Sequence, residues 1–182
     1  MGTPKEPKPT KYFVALLSSD SQSLSHACTD LVRLFGAIDE KSEVIPWTAS
    51  KFYEREMGSA LHRGFVAFAA LRSPGELATI KLQTQAIEEG YRSRKSGGRR
   101  VNLDPGYLDL FKVVLASTKN ASQRVYLERG IYAEATLFYY DGQFHGLPYT
   151  YADYLWPETL AFLSLLRSRY LEQLRWHRMT EY

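Results

Sequence analysis

Apolar and polar positions alternate along the chain in blocks whose period changes. Residues 12–19, YFVALLSS, form a continuous apolar run ending on two serines. Such a run predicts a strand covered on both faces. Ser19 stands three residues before Gln22, a capping-box spacing. Leu24, Ala27, Cys28, Leu31, Val32 and Phe35 follow at helical intervals, and Gly36 supplies a stop. Residues 41–47, KSEVIPW, predict a short strand that Pro46 confines to a sheet edge or a strand end. Residues 50–58 read as a loop or a single helical turn, and 62–71, HRGFVAFAAL, as the next strand.

Ser73, Pro74 and Glu76 then supply an N-cap, a first-turn proline and a capping-box glutamate. Leu77, Ile80, Thr84, Ile87 and Tyr91 keep the three-four spacing of a helix behind them. Residues 99–103, RRVNL, predict a strand closed by Asp104-Pro105-Gly106-Tyr107, with proline and glycine at the two centres of a type II turn. On that reading Gly106 holds a positive φ. Further strands follow at 110–117, 123–128 and 131–140, and Asp141-Gly142 is a hairpin signal. Pro157 opens a last helix carrying Leu160, Leu163, Leu166, Tyr170 and Leu174.

The order strand, helix, strand, strand, helix, strand predicts an α+β fold. Its expected form is a ferredoxin-like βαββαβ core with an extended, mainly antiparallel sheet and a C-terminal helix. Residues 1–11, with Pro4, Pro7 and Pro9 among lysines, read as a disordered lead-in, and 12–182 as one domain.

Composition narrows the class. Of the 182 residues 45% are hydrophobic and 24% charged, ordinary globular usage. The net charge of +3 permits an anionic partner but lacks the strong basic bias of a duplex-DNA binder. The one cysteine, Cys28, excludes a disulfide framework and fits a reducing cytoplasm. No apolar run approaches the roughly 18–20 residues of a membrane span. The expectation is a cytoplasmic protein without a membrane partner. His26, His62, His145 and His177 show no metal-ligand spacing, so neither a metal nor a cofactor is expected.

Candidate chemistry gathers in three places. In GGRRVNLDPGY, residues 97–107, two glycines free the backbone while Arg99 and Arg100 supply charge. Arg92, Arg94 and Lys95 bring the basic residues of 92–100 to five. This is an anion cradle or a solvated loop joining helix to strand. Asp104 is a second carboxylate for catalysis or the hydrogen-bonding residue of its turn. Ser117, Thr118 and Lys119 form a polar turn suited to phosphate, or an ordinary hairpin loop. Strict alternation along 131–140 puts Tyr132, Glu134, Thr136 and Phe138 on one face and Ile131, Ala133, Ala135 and Leu137 on the other. A carboxylate there is a general base or one half of a cross-sheet salt bridge to Lys112 or Arg124.

The runs SEVIPW, FYEREMG, RRVNLDPGYL, VLASTKN, RVYLERGIYAEATL and LPYTYADY, in this order, resemble a bacterial and archaeal family of unknown function. Its members are about this long, carry an Asn-x-Asp-Pro-Gly-Tyr motif, matched here by Asn102 and Asp104 to Tyr107, and some bear a GTP-binding label. The resemblance therefore points toward a nucleotide as ligand. A P-loop run, Gly-x4-Gly-Lys-Ser/Thr, is absent from the sequence. The leading expectation is binding of a phosphate-bearing ligand, a nucleotide or single-stranded nucleic acid, at one end of the sheet. Arg99, Arg100, Asn102, Ser117, Thr118, Lys119 and Tyr132 are the expected contacts. The rivals are a metal-independent enzyme with Glu134 as general base, supported by Asp104 or Glu43, and an interaction module with no small-molecule site.

Overall fold

The computed structural model describes residues 2–94 and 96–180, the side chains of 177–180 excepted. Lys95 of the basic run and the side chain of His177 lie outside the described residues. In chain order the elements are β1 (Thr10–Ser18), α1 (Ser21–Phe35), β2 (Ile38–Lys41), β3 (Ile45–Pro46), α2 (Glu54–Met57), β4 (His62–Arg72) and α3 (Leu77–Gly90). Then follow β5 (Val101–Leu108), β6 (Lys112–Ser117), β7 (Val125–Glu128), β8 (Ile131–Tyr140), β9 (Gln143–Gly146) and α4 (Pro157–Thr180). The strands build one open antiparallel sheet in the order β2-β4-β1-β5-β6-β8-β7, with β3 added to β4 and β9 to β8. No helix among the described residues is long and apolar enough to cross a membrane.

β1 is flanked on both sides and buried along its whole length, as its unbroken apolar run requires. It starts at Thr10, so Thr10 and Lys11 belong to the sheet rather than to a lead-in. Lys11 is fully buried and pairs with Asp39 at 2.5 Å. Tyr12, Val14 and Leu16 pack under α1 and α3, whereas Phe13 and Ala15 pack under α4. Helices thus cover both faces.

Local signals set most boundaries. Gly36 ends α1 with φ +89, and Ser73 and Glu76 close a complete capping box before α3. Asp141 and Gly142 both take positive φ, as a two-residue hairpin between β8 and β9 demands. At α1 the cap is Asp20, not Ser19. The Asp20 carboxylate accepts the Gln22 N–H, while the Ser19 hydroxyl donates to the Met57 carbonyl. Of the predicted strand over 41–47 only Lys41, the last residue of β2, and Ile45–Pro46, which form β3, are in strands; both elements lie on the outer edge of β4.

Two expectations fail for reasons of tertiary pairing. Asp104-Pro105-Gly106-Tyr107 is not a turn: β5 runs straight through it, paired with residues 12–15 of β1. Gly106 has no positive φ. A Cβ there would stand 2.6 Å from Leu115 Cδ2 and 2.7 Å from the Val114 carbonyl, so close packing demands the glycine. Strict alternation in β8 fails because the β6–β8 register shifts between Val113 and Val114. Ile131 and Ala133 therefore meet the α3 side, whereas Leu137 and Tyr139 meet the α4 side.

Candidate functional site

The β5–β6 ladder begins only at Gly106 and runs away from the end of the sheet where β5 starts. Pro105 has no N–H with which to carry it further. Upstream of that proline β5 is bonded to β1 alone, and the two strands part. The Leu103 backbone, left without a strand on that side, is satisfied from α3. Its N–H donates to Glu88 Oε1 at 2.6 Å and its carbonyl accepts from Lys81 Nζ at 3.1 Å. A cavity of about 470 Å³ opens at this split. It is walled by the 47–53 loop, the start of β4, α3, the end of β6, β8 and the 151–154 segment.

The cavity gathers most of the predicted site. Arg99, Asn102, Asp104, Ser117, Thr118, Lys119 and Glu134 line it. Arg100 and Tyr132 are not on its wall: Arg100 pairs with Asp20, and Tyr132 packs edge-on against Tyr126. Nor are Arg92 and Arg99 of the basic run free cations. Arg92 is held by Glu89, and Arg99 grips both Glu56 oxygens at 2.9 Å. That grip holds the Glu56 carboxyl below its usual range.

A chain of polar contacts crosses the floor. Arg99 Nη1 donates to Asn102 Oδ1 at 2.7 Å, Asn102 Nδ2 to Asp104 Oδ2 at 2.6 Å, and Lys81 Nζ to Asp104 Oδ1 at 3.0 Å. Burial pushes the Asp104 carboxyl up, but Lys81, Arg63 and Asn102 together hold it below its ordinary value. Asp104 is thus a paired anion on a strand, not a turn residue. Burial raises the Glu88 carboxyl, and Lys81 and the Leu103 N–H offset this only in part.

Glu134 is buried and bonded through one oxygen. Oε2 accepts from Arg124 Nε at 2.8 Å and Gln123 Nε2 at 3.1 Å, whereas Oε1 has no partner among the described residues. Its cation is Arg124; Lys112 pairs with Asp109 instead. Arg124 also donates to the Lys119 carbonyl at 2.9 Å and the Tyr151 hydroxyl at 2.6 Å, fixing the two loops at the cavity rim.

Arg63 and Asp153 complete the floor. Arg63 Nη2 lies 3.0 Å from Asp153 Oδ2 without the alignment of a hydrogen bond, and both are almost wholly buried. Arg63 Nε and Nη1 and the Tyr154 hydroxyl have no partners among the described residues. Burial raises the Asp153 carboxyl, pushes Tyr53 up to about 12 and Tyr154 higher still. Both phenols are therefore neutral donors at physiological pH. Lys81, Glu88, Arg63 and Asp153 were not predicted from sequence. The signals were there: a lysine and a glutamate on the apolar stripe of α3, and an arginine inside the apolar strand β4.

Five cationic side chains and four carboxylates line the cavity. Lys119 is the cation left over, with no carboxylate partner among the described residues; its ammonium stands 4.9 Å from the Phe52 ring. Such a site can hold an anion and offer neutral donors to it. Among the described residues no cluster of His, Cys, Asp or Glu could hold a metal ion.

A family model described as a domain of unknown function, DUF4416, matches residues 8–170. The chain belongs to this family. The DUF4416 match takes in every residue of the cavity wall. No curated protein and no solved structure matches the chain.

Proposed function

We propose that the cavity binds a small phosphate-bearing ligand of nucleotide size, without a P-loop. The observation that carries this is Lys119. Its ammonium has no carboxylate partner among the described residues and shares the wall with the Ser117 and Thr118 hydroxyls. A cavity of about 470 Å³ suits one mononucleotide-sized molecule. Trp47, Phe52 and Tyr53 supply rings for a planar body. The ion pairs of Arg92, Arg99 and Arg100 argue against a single strand tracked along the basic run. A second reading is an enzyme with Glu134 as general base. The unpartnered, buried Oε1 of Glu134 favours it. The order β2-β4-β1-β5, with α1 and α3 on one face, supports a ferredoxin-like reading of that half of the sheet.

The experiment is a thermal-shift screen of nucleotides and sugar phosphates. At least one phosphate-bearing compound should raise the melting temperature, while its dephosphorylated counterpart should not. If no compound does so, the phosphate reading is wrong.

A further inference from the structure

We infer that the ligand carries a second anionic group, a carboxylate, that ends on Arg63. This rests on reading the cavity as a phosphate site. Four consecutive contacts through three rings join the two cations. Lys119 Nζ lies 4.9 Å from the Phe52 ring; Phe52 and Tyr53 are 5.2 Å apart; Tyr53 and Trp47 are 6.0 Å apart; and the Arg63 guanidinium lies 4.7 Å from the Trp47 ring. An aromatic wall thus has a positive charge at each end.

The two ends differ. Phe52 is 68% exposed, so the Lys119 end is open, and the Ser117 and Thr118 hydroxyls there suit a hydrated phosphate. Arg63 is 4% exposed, so its end is closed. Two of its N–H-bearing nitrogens and the Tyr154 hydroxyl lack acceptors among the described residues. Leaving a buried guanidinium under-compensated is costly, and a ligand carboxylate beside it lowers that cost by supplying a counter-charge. Asp153 meets the guanidinium through an unaligned contact, and Asp104, hydrogen-bonded to Lys81 and Asn102, acts on it through charge alone. A small planar anion fits a closed guanidinium site better than a phosphate, which needs more donors. The ligand class is a planar acid bearing a phosphate at its far end.

The test is calorimetric titration of the full chain with phenyl phosphate, para-carboxyphenyl phosphate and para-carbamoylphenyl phosphate. The carboxylate probe should bind about tenfold more tightly than phenyl phosphate, one charge-assisted hydrogen bond's worth. The neutral amide should gain much less. In the double variant Arg63→Met with Asp153→Asn, which removes both charges of the pair, the carboxylate advantage should vanish. Equal affinity of all three probes for the wild type overturns the second anion and leaves the phosphate site standing. Binding of none overturns both.

Discussion

Arg124 donates through Nε to Glu134 Oε2 at 2.8 Å, and both side chains are almost withdrawn from solvent. The remaining nitrogens of the same guanidinium hold the Lys119 carbonyl and the Tyr151 hydroxyl. One buried ion pair therefore fixes both the wall and the rim of the cavity. Changing Glu134→Gln leaves Arg124 buried without its counter-charge and should cost about 3 kcal/mol or more. The double variant Arg124→Met with Glu134→Leu should recover much of that loss. Urea denaturation of the three proteins checks it; a Glu134→Gln variant as stable as the wild type would refute the pairing.

Gly106→Ala should cost about 1–3 kcal/mol through overpacking, because the new methyl meets the Val114 carbonyl as well as the Leu115 side chain. Adding Leu115→Ala should relieve only the side-chain share, since the carbonyl cannot move without disturbing β6. Denaturation midpoints of the single and double variants measure this.

Removing the Ser73 hydroxyl by Ser73→Ala breaks one half of the capping box before α3. The expected loss is about 1 kcal/mol. An unchanged melting temperature would mean that water replaces the cap at no cost.

Glu88 makes a pH prediction. Its folded carboxyl lies above the ordinary glutamate value of about 4.3, mainly through burial. A raised folded pKa gives stability that is fully present below the unfolded value and lost as pH rises through the folded one. Gln at this position keeps an acceptor for the Leu103 N–H but cannot ionise. The stability of Glu88→Gln relative to wild type should therefore improve as pH climbs from about 4 through the folded pKa. A stability relative to wild type that falls over that range would contradict it.

Legibility followed the range of the interaction. The capping box at Ser73, the stop at Gly36 and the Asp141-Gly142 hairpin depend on neighbours a few residues away, and all three stand where the sequence puts them. The Asp-Pro-Gly-Tyr run misled because a local turn signal was overridden by pairing with β1, and Gly106 answers to Leu115 and Val114 rather than to a dihedral angle. The shift in the β6–β8 register is invisible to periodicity for the same reason. In the cavity, Asn102, Asp104, Lys119 and Glu134 stood out as polar residues beside or within strands. Lys81 and Glu88 break the apolar stripe of α3, but what they reach, a parting of two strands, is created only by the sheet order.

The central claim is that Lys119 meets a phosphate in this cavity. The direct measurement is calorimetric titration of the wild type and Lys119→Ala with a nucleoside monophosphate and with its unphosphorylated nucleoside. Saturable binding of the monophosphate to the wild type is expected, with affinity reduced about tenfold or more in the variant. The nucleoside should bind both proteins alike and weakly, and the melting temperatures should agree, since Lys119 has no carboxylate partner among the described residues to lose. Equal affinity of the monophosphate for both proteins, or no binding to either, would contradict the account.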